Sequence, residues 1–137
     1  MNEPFVDTDV LIRLLTGDDP TKQERARALF EQVQAGQVTL QAPDTVIADA
    51  VFVLSSPRLY HLPRSQIQAL LTPLLRLSHF KVANRRALLR ALELYASSNL
   101  DFGDCLIVAL MERRSSSLVY SYDMGFDRQT GITRQEP

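Results

Sequence analysis

The chain has one cysteine, two histidines, two lysines and no long apolar run, and each shortage closes a class of reading. With only Cys105 there can be no internal disulfide and no cysteine zinc cage. Its neighbours Leu106 and Ile107 mark Cys105 as a core residue. His61 and His79 have no partner at metal-ligand spacing, so a core or surface role is expected for both. No stretch approaches the roughly 20 apolar residues that span a membrane. The opening Met1-Asn2-Glu3-Pro4 has no basic region leading into an apolar segment, so no secretory signal is expected and a soluble cytoplasmic protein is the default. Gly-rich phosphate loops and GxSxG elbows are also missing.

What remains is ordinary globular material: 137 residues, 45% hydrophobic, 23% charged, net charge −1. That length suits one domain over 1–137 with a real core. The near-neutral charge does not advertise nucleic-acid binding. Thirteen of the fifteen basic residues are arginine, however, and only Lys22 and Lys81 are lysine. Arginine is the better fork for phosphate oxygens. The clusters Arg85-Arg86-Arg90 and Arg113-Arg114 read first as solvated helix faces.

The apolar periodicity predicts strands over 3–7, 38–42, 80–82, 118–121 and 132–134. Helices are expected over 8–16, 21–35, 43–55, a Leu-rich segment after Ser65, 85–97 and 102–114, with a turn or short helix at 124–128. Pro20 opens and Gly36 closes the second helix, while Asp44 or Thr45, Ser65 and Asn84 are candidate caps for later ones. Pro73 predicts a kink or an interruption. Alternating helices and short apolar strands imply an α/β fold, a three-layer α/β/α sandwich with a short, mainly parallel sheet. Ligands of such sheets bind beyond the carboxyl ends of the strands.

Four carboxylates stand where strand and helix patterns meet. Asp7 and Asp123 each follow an apolar run. Asp49 lies among Val46, Ile47, Ala50, Val51 and Phe52 in a helix apolar nearly all round, where an unpaired buried carboxylate would need a cation or strong donors. Asp104 is three residues after Asp101, a spacing that also resembles a capping box. Asp7 could equally cap its helix, and Asp123 or Asp127 could be turn residues. Carboxylates held together repel one another and raise one another's pKa values. Hard divalent cations relieve that repulsion, and all-oxygen ligation favours Mg²⁺ or Mn²⁺ over Zn²⁺.

The motifs resemble those of PIN-domain ribonucleases, and most closely the VapC-like toxins of toxin–antitoxin pairs. Phe5-Val6-Asp7-Thr8-Asp9, Ala48-Asp49, Asp101-Phe102-Gly103-Asp104-Cys105 and Ser121-Tyr122-Asp123 followed by Phe126 carry the likeness along nearly the whole chain. The resemblance implies metal-dependent hydrolysis of RNA, with Asp7, Asp49, Asp104 and Asp123 holding Mg²⁺ or Mn²⁺. Thr8, Asp9 and Ser121 would orient those ligands, and Asp101 and Asp127 would support them. It also implies a homodimer and a cognate antitoxin. Asp49 stands where the family has Glu, Asp9 where it has Asn, and Ser121 where it has Thr; none of these changes removes an acid.

Two other readings fit some of these residues. The altered second acid is compatible with a PIN fold kept for binding, with weak or no cleavage. The strand-end Asp7-Thr8-Asp9 also resembles the first motif of haloacid-dehalogenase-type phosphatases, which need a later lysine; Lys81 is the one candidate.

Overall fold

The computed structural model describes residues 2–137, and the chain divides after Arg85 into two compact units. Among the described residues no helix is long and apolar enough to cross a membrane.

The first unit holds α1 (Thr8–Leu15), α2 (Pro20–Gln34), β1 (Leu40–Ala42), α3 (Asp44–Ser55), α4 (Arg64–Leu75) and β2 (Phe80–Val82). β1 and β2 run parallel, with Leu40 opposite Phe80 and Ala42 opposite Val82. The expected first strand is reduced to a single parallel bridge between Phe5 and Gln41. Gln41 still serves it on both sides, donating to the Pro4 carbonyl at 2.8 Å and accepting from Val6 at 2.9 Å. Pro4 has no N–H to extend the ladder. Leu11, Val33, Ile47, Leu54, Ile67, Leu71, Leu75 and Phe80 form the buried core of this unit, with Phe30 edge-on to Phe80 at 5.5 Å. Asp19 caps α2 by accepting the Lys22 N–H at 3.1 Å, with Pro20 next in the chain. Gly36 follows that helix at φ +78°, where a Cβ would also meet His79 Nε2 at 3.2 Å.

The expected caps of α3 and α4 are not used. Pro43 and Pro63 occupy the N-cap positions of α3 and α4 without a side-chain bond, so neither Asp44, Thr45 nor Ser65 is the cap. Asn84, at φ +60°, donates its side-chain amide to Asp44 at 3.0 Å. Pro73 does not interrupt α4, which runs through it and ends two residues later. A proline so near the C-terminus removes one N–H without splitting the helix.

The second unit contains the body of α5 (Arg85–Ser97), then α6 (Phe102–Arg113), β3 (Leu118–Tyr120), a 3-10 helix (Met124–Arg128) and β4 (Thr133–Gln135). β3 and β4 are again parallel, Leu118 opposite Thr133 and Tyr120 opposite Gln135, and the short helix forms part of their crossover. Leu88, Leu92, Cys105, Val108 and Phe126 are buried, and Tyr95 packs edge-on against Phe102 at 5.9 Å. Among the described residues, six α-helices with short parallel strand pairs make this a mixed α/β fold.

Two of the five clustered arginines, Arg85 and Arg90, are committed to structure. Arg85 donates to the Leu77 and Phe80 carbonyls at 3.0 and 2.7 Å. Arg90 forks onto Glu112 at 2.9 and 3.2 Å and also reaches Glu93.

Candidate functional site

The first unit gathers Asp7, Thr8, Asp9 and Asp49. Asp7 ends the extended segment that bridges to β1 and is the N-cap of α1, its Oδ1 accepting the Thr8 N–H at 2.7 Å. α1 packs on α3, which carries Asp49. The result is a cleft of about 500 Å³ whose walls include all four residues together with Arg13 and Tyr60. Asp49 is exposed there, which corrects the expectation of a buried carboxylate. Its apolar neighbours in sequence face elsewhere: Val46, Ile47, Ala50 and Val51 point into the core, while Phe52 is 73% exposed. An open carboxylate needs no partner to be tolerated, so burial does not argue for a role at Asp49.

Sequence reasoning missed the network behind this cleft. Asp18, in the turn between α1 and α2, accepts the Tyr60 hydroxyl at 2.7 Å and pairs with Arg13 at 3.2 Å. The Thr16 hydroxyl lies 2.6 Å from the Ile12 carbonyl and 3.0 Å from Asp18, and its one proton serves either. The Tyr60 bond, ahead of the other donors, holds the Asp18 carboxyl below its ordinary value. Two wall residues of the acidic cleft are thus held through one aspartate.

The second unit gathers Asp101, Asp104, Ser121 and Asp123. Asp101 is the N-cap of α6, but its side chain makes no capping bond, so the capping-box reading does not hold here. Asp104, half-buried in the first turn, has its pKa raised first by burial, then by the charge and hydrogen-bond contact of Asp123, and then by Asp101. Ser121 accepts the Asp123 N–H on its hydroxyl at 2.9 Å, and Asp123 Oδ1 accepts the Gly125 N–H at 2.8 Å. These bonds explain the pattern Ser-x-Asp-x-Gly locally: hydroxyl and carboxylate each satisfy an N–H two residues on. Asp101, Asp123 and Gly125 also line a cleft of about 360 Å³.

Asp127 is committed to Arg134, which donates to both its carboxylate oxygens at 3.0 and 3.4 Å. Arg134 also reaches the Ser121 carbonyl at 3.0 Å and Glu136 at 3.2 Å. It therefore braces the turn that presents Asp123, a role invisible in the sequence. His79 bonds Thr39 at 3.1 Å. Lys81, the later lysine that the phosphatase reading needs, is bound to Glu3 at 2.9 and 3.0 Å.

The donors in both units are carboxylate and hydroxyl oxygens, which suit a hard divalent cation and not zinc. The mutual repulsion at Asp104 is the kind that a cation relieves. Among the described residues, no three His, Cys, Asp or Glu side chains within either unit are arranged to enclose an ion.

No curated protein matches the chain in a sequence search. The family profile described as the PIN domain matches residues 5–132, taking in Asp7, Asp49, Asp104 and Asp123. PIN domains are typically nucleases, hydrolases of phosphodiester bonds. By a match over nearly its full length, the chain belongs to the PIN-domain family.

Proposed function

We propose that this PIN protein is a Mg²⁺- or Mn²⁺-dependent endoribonuclease, working as one domain and as the toxin of a toxin–antitoxin pair. The observation that carries the reading is the PIN-family match over residues 5–132, which takes in all four acids, together with the meeting of Asp104 and Asp123, where burial first and the Asp123 charge second raise the Asp104 carboxyl. Asp7 and Asp49 in the first unit and Asp104 and Asp123 in the second are the proposed metal ligands. When bound, such a cation activates water and steadies charge on the phosphodiester oxygens.

The chain's own residues supply positioning. Ser121 and Gly125 fix the Asp123 carboxylate through two backbone N–H bonds. Asp7 is set at the N-terminus of α1 by the Thr8 N–H. Asp104 must be ionised to serve as a ligand, and its raised pKa makes that step harder in acid than for a free aspartate. The homodimer, the antitoxin and the cytoplasmic setting belong to the same reading and come from the likeness to VapC-like toxins.

One observation favours a second reading, a PIN fold that binds and cleaves weakly. Asp49 is a short, exposed side chain where the family carries Glu, and it is one methylene further from any shared ion.

The decisive experiment is cleavage of RNA with Mg²⁺ or Mn²⁺, against a chelator control and Asp7→Asn and Asp104→Asn variants. Metal-dependent cleavage that both variants lose supports the nuclease. Mn²⁺ binding without cleavage supports the weak-binding reading. Cleavage that persists in both variants would refute the assignment of these acids. Growth arrest on expression, relieved by a co-expressed small protein, tests the toxin role.

A further inference from the structure

We propose that the cleft between α1 and α2 is a subsite for a nucleotide flanking the cleaved bond, with Lys22 and Arg25 holding its phosphate. This rests on the nuclease reading and adds to it the part of the chain that binds substrate. The cleft measures about 390 Å³, within the range of small-ligand pockets, and Val10, Ala26 and Leu29 form its apolar floor. Arg13, Lys22 and Arg25 provide its cationic rim. The arrangement follows from helical spacing: positions 22, 25, 26 and 29 of α2 fall on one stripe, and Asp9 and Arg13 are one turn apart on α1.

Three facts join this cleft to the acidic one. Asp9 and Arg13 line both, so the two clefts share a wall. The acidic cleft repels phosphates, and a polyanion approaching it needs compensating positive charge nearby. Among the described residues, Lys22 and Arg25 have no carboxylate partner, and of the basic residues without one they are the two that line this cleft. Arg13 is tethered to Asp18, leaving most of its guanidinium donors for another acceptor. An apolar floor beneath unpaired cations suits a base or ribose beside its phosphate, the combination that single-stranded recognition uses.

The test is fluorescence anisotropy of a labelled twelve-residue oligouridylate in chelator at several salt concentrations. Wild type is compared with Lys22→Ala/Arg25→Ala, with Lys22→Gln/Arg25→Gln, and with Arg27→Ala as a control on the same helix. Both double variants should bind about tenfold more weakly, with a salt slope smaller by about 0.7 per lost phosphate contact. Arg27→Ala should match wild type. Cleavage of a long RNA should fall by the same factor, while the dinucleotide UpU, too short to reach the subsite, should be cleaved unchanged. Unchanged affinity and slope in both double variants would overturn the subsite and assign the cleft to another ligand, such as a protein segment. Binding lost in the double variants of a wild type that never cleaves would keep the subsite and sink the nuclease reading. A wild type that neither binds nor cleaves would end both.

Discussion

Asp123 Oδ1 accepts the Gly125 N–H at 2.8 Å, and the same oxygen lies 3.0 Å from where a Cβ on Gly125 would stand. Leu100 Cδ2 is closer still to that point, at 2.9 Å. A side chain at position 125 must therefore move either a core contact or the carboxylate. Gly125→Ala should destabilise by about 1–3 kcal/mol, as overpacking does, and reduce cleavage at least tenfold. Gly103 has nothing within 4 Å of its would-be Cβ, so Gly103→Ala should instead stabilise by about 0.5 kcal/mol. Denaturant unfolding of the two variants side by side would test the contrast, and equal effects would contradict it.

Asp104 should trade stability for binding. Its folded pKa lies above the ordinary 3.8, so the folded state takes up a proton more readily than the unfolded chain. The stabilisation from protonated Asp104 is present in acid and is lost as pH rises through the raised value. Without metal, Asp104→Asn should melt at a higher temperature than wild type near neutral pH, and the gap should close in acid. The same variant should lose Mn²⁺ binding, and wild-type affinity should weaken as pH falls through the raised pKa. Calorimetry over a pH series would read all of this, and a lower melting point for the variant at neutral pH would contradict it.

Asp18 has the opposite sign. Its folded pKa lies below the ordinary 3.8, chiefly through the Tyr60 hydroxyl, so its contribution is present above that value and lost as pH falls through the folded one. Tyr60→Phe should narrow the stability difference between neutral and acidic solution. It should also loosen the wall of the acidic cleft that Tyr60 lines. Thermal melts of both proteins at pH 7 and pH 3 would check this; parallel loss with acid in the two would argue against the network.

Asp49→Glu restores the longer acid and should tighten Mn²⁺ binding and raise cleavage by up to about tenfold, the scale on which ligand positioning usually acts. Asp49→Asn should lower both. If the three side chains perform alike, position 49 is not a ligand.

Much of this was legible in the chain because it depends on near neighbours. Ser121, Asp123 and Gly125 bond to one another within five residues, and the pattern can be read directly. Asp7 at the end of an apolar run and Asp104 in a first turn are local facts too. Asp49 misled because an apolar sequence around a residue says nothing about which face that residue occupies; Phe52 shows that this helix also turns an apolar side chain outward. Tyr60 meeting Asp18, and Arg134 bracing Ser121 and Asp127, join residues well apart in sequence through tertiary geometry alone. Pro73 was overread because its effect depends on how much helix follows it.

The two parallel strand pairs differ in how far the chain must search to make them. Leu40 and Phe80 are forty residues apart, while Leu118 and Thr133 are fifteen. Closing the longer loop costs about 0.9 kcal/mol more in chain entropy. On refolding, β3 and β4 should therefore meet first, fixing the Asp123 turn while the strands beside Asp7 are still apart. Pulse-labelled hydrogen exchange should find the Ser121 amide, bonded to the Gln135 carbonyl at 3.1 Å, protected before that of Leu40. Equal protection times would argue against that order. The stretch carrying the fourth acid would then be held by the first of the two strand pairs to close.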